Sequence, residues 1–279
     1  MKEVIQAFGD TAALKVNQIN TSKSKFFVSG MMAGFFIGLG IILIFTIGGL
    51  LSPISPELAR IVMGVSFGIA LSLVLMAGAD LFTGNNMIMT IGTLEKRTTW
   101  KDTWKIWGFG FLANFAGSVT AAVLYFYSGL WQGATAEFIT ATASVKMNLP
   151  FMELLVRGIL CNILVCLAIW CAFKLKSDTA KLIMIFWCLF AFITSGFEHS
   201  IANMTLLSIG LLVPHPETVT LAGMAHNLIP VSIGNMIGGI VFVGGAYWYT
   251  SSATVPKLDR AAKPAILQVE RKTPESSAR

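Results

Sequence analysis

Charge is scarce in this chain. Of its 279 residues only 12% are Asp, Glu, Lys or Arg, against 55% hydrophobic, where a soluble domain carries about a quarter charged residues. Mean hydropathy is correspondingly +0.73, which excludes an ordinary soluble enzyme or nucleic-acid module. Cysteine is also sparse, at four residues. Cys161, Cys166 and Cys171 are spaced by five, which does not stack them on one helix face. With Cys188 they read as small buried side chains, implying neither a disulfide framework nor a metal motif. The N-terminus lacks the charged start, short apolar run and small-residue cleavage site of a secretory signal.

Long apolar runs are present instead, at roughly 26–51, 59–95, 106–128, 153–175, 182–213 and 222–250. Each meets the roughly 20 residues a helix needs to cross the hydrocarbon. The expected fold is therefore an all-α polytopic membrane protein with six crossing elements. The net charge of +6 is a matter of topology, not of nucleic-acid binding: 17 of the 20 Lys and Arg residues fall before span 1, after span 2, between spans 4 and 5, or beyond span 6. Arg60, Lys146 and Arg157 lie on the other side. The positive-inside rule places both termini in the cytoplasm.

Residues 1–25 carry Val4, Ile5, Phe8, Ala12, Val16 and Ile19 at helical spacing. That stripe fits an amphipathic helix on the membrane surface or one packed on a neighbouring subunit. Residues 253–279 are polar, with Pro256, Pro264 and Pro274, and read as a disordered tail. The membrane domain is thus expected over 26–252.

Two polar stretches interrupt apolar spans: Asp80-Leu81-Phe82-Thr83-Gly84-Asn85-Asn86 and Glu198-His199-Ser200-Ile201-Ala202-Asn203. Ionisable groups at bilayer depth are costly and mark cavities or permeation paths. The halves around 26–128 and 153–250 match in chain order. Val28-Ser29-Gly30 with Gly34 answers Val156-Arg157-Gly158 with Asn162; Asp80 with Asn86-Met87 answers Glu198 with Asn203-Met204; Asn114-Phe115-Ala116-Gly117-Ser118 answers Asn235-Met236-Ile237-Gly238-Gly239. Three crossings per half make this an inverted repeat, an architecture that puts the site at its midpoint among discontinuous helices. Gly84 and Gly196 are expected to free the backbone at the breaks, and Asn85, Asn86 and Asn203 to cap the helices that resume. Helix starts meeting at mid-membrane favour an anion.

Four motifs, Ala79-Asp80-Leu81-Phe82-Thr83-Gly84, the Cys161–Trp170 stretch, Gly196-Phe197-Glu198-His199-Ser200-Ile201-Ala202-Asn203-Met204 and Ile233-Gly234-Asn235, resemble those of the formate/nitrite transporter family over nearly all of residues 1–252. The resemblance implies an aquaporin-like protomer with its own pore, assembled as a homopentamer in the bacterial cytoplasmic (inner) membrane, with no cofactor. It implies small weak-acid anions as substrates: nitrite, formate or hydrosulfide. Gly40-Ile41-Ile42-Leu43-Ile44-Phe45-Thr46, His199–Leu206 and His226-Asn227-Leu228 look like the nitrite branch, while Asn227-Leu228-Ile229-Pro230-Val231 is similar to the formate branch as well.

His199 alone among the three histidines sits at an interrupted span, where a near-neutral intrinsic pKa suits proton exchange or anion binding. The resemblance makes it the central pore residue, with Thr83 as hydroxyl partner and Asn162 as a neighbour tuning its hydrogen bonds. It also implies that Lys146, in the external loop after span 3, draws anions to the outer mouth, and that Phe67, Leu71, Leu81 and Phe192 narrow the pore. Asp80 and Glu198 are expected to accept backbone N–H bonds and hold the irregular loops. A Glu198-His199-Ser200 triad is excluded, since consecutive side chains diverge and triads are assembled from separated segments. A neutral-solute channel for water or ammonia is the alternative of a different class.

Overall fold

The computed structural model describes residues 1–252, so the segment read as a disordered tail, 253–279, lies outside the described residues. The chain is helical from end to end: α1 (Lys2–Thr21), α2 (Lys23–Leu51), α3 (Pro56–Ser66), α4 (Gly68–Leu73), α5 (Phe82–Leu94), α6 (Trp100–Ser128), α7 (Ala134–Met147), α8 (Phe151–Lys174), α9 (Asp178–Ser195), α10 (Ser200–Leu212), α11 (Leu221–Ile237) and α12 (Ala246–Ser252). Wide i→i+5 turns follow α4 at Val74–Gly78 and join α11 to α12 at Gly238–Gly245. Six stretches among the described residues are long and apolar enough to cross a membrane: Lys23–Leu51, Pro56–Gly78, Trp100–Ser128, Phe151–Lys174, Asp178–Ser195 and Leu221–Ser251.

Local chemistry sets the helix starts. Ser22 Oγ accepts from Lys25 N–H at the head of α2, and Thr99 and Asp102 form a reciprocal capping box on α6. Small residues then set the packing. α2 lies along α6 so closely that a Cβ on Gly34 would fall on the Asn114 carbonyl oxygen; α8 lies along α11 with Gly234 against the Leu155 carbonyl in the same way. The glycines spaced by four on α2 therefore pack helices within one protomer.

Both expected interruptions are present. After Gly78, at φ +80°, the chain runs extended through Ala79 and resumes as α5; after Gly196, at φ +78°, it resumes as α10. Gly78, not Gly84, supplies the left-handed residue of the first break, and Gly84 is already inside α5.

Two further expectations change. The stripe on α1 faces neither a lipid surface nor a neighbouring subunit: Ile5, Phe8, Ala12 and Ile19 are buried in the same chain, Phe8 stacking on Trp170 and Phe173 at centroid distances of 5.4 and 4.2 Å. The helix breaks at Ser22, so it is shorter than 1–25. Lys146 is not in a loop but in the last turn of α7, an extra helix over residues whose mixed composition hid it.

Candidate functional site

The two re-entering helices start where no water is available to their backbone, and each start is held by an asparagine from a distant helix. Asn114 on α6 accepts from Phe82 N–H through Oδ1 (2.8 Å), while its Nδ2 donates to the carbonyls of Gly30 and Asp80 (2.8 Å each). Asn235 on α11 accepts from Ser200 N–H (2.9 Å) and donates to Gly158 and Glu198 carbonyls (2.8 and 2.9 Å). Asp80 N–H and Glu198 N–H donate in turn to the Ser29 and Arg157 carbonyls, each at 3.2 Å. Asp80, Phe82, Asn114, Glu198, Ser200 and Asn235 are all buried, where an unsatisfied backbone group is costly.

The acids take lysines. Asp80 accepts from Lys15 Nζ of α1 and from Asn85 Nδ2, both at 2.5 Å; Glu198 accepts from Lys146 Nζ of α7 and from Asn203 Nδ2, both at 2.6 Å. Two assignments are thereby corrected. The carboxylates bind side-chain donors rather than backbone N–H groups, and it is the main-chain N–H and carbonyl groups of these acids that hold the loops. Asn85, Asn86 and Asn203 lie within the first two turns of their helices and are not caps; the first and third bind the acids, and Asn86 Oδ1 receives Asn162.

Sequence spacing missed Asn114, Asn235 and Lys15. The asparagines were visible as a matched pair in the two halves, which was the available signal, but a cap acting across more than 30 residues has no local pattern. Lys15 sits among the polar residues of an amphipathic stripe and was read only as one of the basic residues before span 1.

His199 is itself the N-cap of α10: its Nδ1 accepts from Ala202 N–H at 3.2 Å. With Nδ1 used as an acceptor, the ring is the tautomer protonated on Nε2, and Nε2 lies 3.0 Å from Thr83 Oγ1 in the first turn of α5. Nε2–H therefore donates to the threonine, whose own O–H is left to reach a further acceptor. Both side chains are buried. Asn162 has no hydrogen bond to His199; its Nδ2 lies 3.2 Å from the Thr83 carbonyl in the first turn of α5 and 2.6 Å from the Asn235 carbonyl on α11, so it ties the α5 start to the helix whose Asn235 side chain holds the α10 start.

Around this pair the walls are apolar. His199 shares a cavity of only about 10 Å³ with Ile37, Phe67, Leu71, Leu81, Val165, Leu189 and Phe192, room for about one water. Phe67 and Phe192 meet edge to face at 5.6 Å, and Phe192 lies 6.1 Å from the His199 ring. Toward α7 a cavity of about 150 Å³ is bounded by Lys146, Phe192, Gly196, His199 and Asn203. Toward α1 another of about 170 Å³ is bounded by Lys15, Leu81, Gly84 and Asn85. A larger cavity, about 330 Å³ beside Lys25 at the α1–α2 junction, shares no residue with these. Among the described residues no cluster of His, Cys, Asp and Glu is able to hold a metal.

The chain is similar to known proteins over most of its length. A family model described as formate/nitrite transporter matches residues 2–249. The nitrite transporter NirC of Salmonella typhimurium is 45% identical over 246 residues, 88% of each chain. Among solved structures, an FNT family ion channel superposes with a TM-score of 0.86 at 42% identity, over 90% of this chain and 99% of that one. A pentameric formate channel with formate bound superposes at 0.74 and 26% identity, over 83% and 98%. With a family model spanning nearly every described residue and a relative this similar over most of both lengths, the chain belongs to the formate/nitrite transporter family.

Proposed function

We propose that this protein is a nitrite channel, passing small monovalent weak-acid anions through each protomer past His199 and Thr83. The observation that carries the reading is the buried 3.0 Å contact of His199 Nε2 with Thr83 Oγ1, set in an apolar neck between two cavities that each hold a lysine. Nitrite is favoured over formate by the greater likeness to a nitrite transporter; formate is the second reading, favoured by the neighbour that binds it, and hydrosulfide is a third substrate of the same size and charge class.

A bare anion loses several kcal/mol of hydration in an apolar neck. Phe67 and Phe192 on one side, and Leu71 and Leu81 on the other, are the constrictions in this mechanism. Lys146 and Lys15, each ion-paired with a carboxylate, line the cavities on either side, and the Thr83 hydroxyl, oriented by His199, donates to the substrate between the constrictions. Transfer of a proton to nitrite from the aqueous cavity removes the charge that the neck rejects, and the neutral acid crosses. While the α10 cap stands, His199 holds its single proton on Nε2 and acts as an orienting donor; Asn162 keeps the two starts in register.

The paired Asn114 and Asn235 networks support a 3+3 inverted repeat about an axis in the membrane plane, giving an aquaporin-like protomer. A homopentamer follows from the family neighbour, and an inner-membrane orientation with cytoplasmic termini from the distribution of lysine and arginine. The site is a conduction path, not a catalytic centre. The test is a competition series in proteoliposomes: nitrite, formate and hydrosulfide uptake across a pH range. Saturable nitrite uptake that rises as external pH falls is expected. Water or ammonia flux with no uptake of any weak acid would establish the neutral-solute class instead.

A further inference from the structure

Lys146 is poorly placed to be the residue that first captures an anion. Its ammonium is committed to Glu198 at 2.6 Å, and the pair is close to neutral as seen from outside. Of the other two basic residues that the charge distribution puts on that side, Arg157 is bound to Glu153 at 2.7 Å. Arg60 has no ion pair or hydrogen bond among the described residues.

Arg60 is an exposed residue on α3, one turn before Met63, which lines the Lys146 cavity. Residues three apart share a helix face. Its guanidinium reaches across to Gly196, also a lining residue: Nη2 stands 3.0 Å from where a Cβ on Gly196 would be. Any side chain at 196 would crowd that guanidinium, and the φ of +78° independently favours glycine there. The nearest acid along the helix, Glu57, forms no ion pair with it; its Oε2 accepts from Ser55 Oγ at 3.0 Å at the helix start. The rim of the cavity therefore carries a guanidinium whose side-chain donors have no partner among the described residues.

We propose that Arg60 is the anion-capture residue of this mouth, binding nitrite or a like oxyanion at the rim through its planar fork and handing it to the cavity beneath. The inference rests on the anion-channel reading above. It assigns Arg60 to entry, not to passage through the neck, so it predicts an effect on half-saturation and none on maximal rate.

The test is nitrite uptake by the full protein in proteoliposomes at ionic strengths of about 0.01 M and about 1 M, between which the Debye length falls from about 30 Å to about 3 Å. Arg60→Gln is expected to raise the nitrite KM about two- to fivefold at low salt, with maximal rate kept and the difference erased at high salt. Arg60→Lys should restore most of it. Arg60→Cys should gain low KM with a cationic thiol reagent and not with an anionic one; of the native cysteines Cys161 and Cys166 are fully buried, Cys188 is nearly so and Cys171 is half-buried, and the unsubstituted protein controls for them. Unchanged KM in Arg60→Gln at low salt, or a lower maximal rate with KM kept, overturns the capture role while wild-type uptake stands. Absence of uptake by the wild type overturns the channel reading, and the capture role with it.

Discussion

The two halves of the chain build the same joint with different contents. Gly30, Asp80, Phe82, Asn85 and Asn114 stand in one half as Gly158, Glu198, Ser200, Asn203 and Asn235 stand in the other, bond for bond, and Lys15 and Lys146 close the two networks. Within the joint the correspondence reverses. Along the two re-entering stretches, which run 118 residues apart, the position of His199 is occupied by Leu81 in the first half, and that of Thr83 by Ile201 in the second. Each half thus supplies one polar and one apolar residue, placed so that the polar two meet. The joint is built twice; the contact of His199 with Thr83 exists only because the contents of the two joints differ.

The sharpest way to break that asymmetry is to make the second half like the first. His199→Leu removes both the cap of α10 and the partner of Thr83, two hydrogen bonds in a buried site. At about 1.4 kcal/mol each, nitrite uptake should fall roughly 100-fold. Leu81→His in the same protein should not rescue it, since the ring then hangs from the other helix start and meets Ile201. Recovery of uptake in the exchanged protein would mean that one histidine in the neck suffices, whichever half carries it.

Next come the joints themselves. Asn114→Ala and Asn235→Ala each strip three buried hydrogen bonds from a helix start. Each should lower stability by about 2–4 kcal/mol, read as the midpoint of thermal unfolding in detergent, and by similar amounts if the two networks are equivalent. A loss confined to one of them would show that the likeness in geometry hides a difference in load. Lys15–Asp80 and Lys146–Glu198 give a smaller and less even comparison. Asp80→Asn and Glu198→Gln leave a part-exposed lysine without its acid, at a cost of about 1–3 kcal/mol, but Lys146 sits on a helix joined to a span at each end, whereas Lys15 sits on α1, outside the six spans. Glu198→Gln should therefore be the costlier in the same unfolding assay, and equal losses would show α1 to be as firmly held as α7.

Much of this was readable from residues alone. Periodicity and run length give six spans because a bilayer imposes one length on all of them, and polar residues within those spans locate both breaks. The meeting of Thr83 with His199 came from likeness to a family; local spacing carries nothing about a contact across 116 residues. The capping asparagines were misplaced for the same reason. A local rule assigns the cap to the nearest amide, Asn85 or Asn203, whereas the helix starts are buried against α6 and α11, which bring Asn114 and Asn235 closer to the free N–H groups. Lys146 was read as part of a loop because the stretch before it mixes small, polar and apolar residues with no clear helical stripe, and α1 was given to lipid or a neighbour because an amphipathic stripe does not name its partner.

The smallest expected effect tests whether the hydroxyl or the side-chain shape at Thr83 matters. Thr83→Ser keeps an acceptor for His199 Nε2–H and a donor for the anion, and loses one methyl, so uptake should change by less than about twofold. Thr83→Val keeps the shape and loses both functions, leaving the Nε2–H buried without an acceptor, at about 1–3 kcal/mol, and uptake should fall at least about fivefold. If Val matched Ser, the threonine would serve only to fill space beside the ring, and the first half would contribute a wall to the site where the second contributes its chemistry. If Val fails and Ser does not, the anion is held by a donor from one half that is oriented by an imidazole from the other, and neither half is able to conduct with its own contents alone.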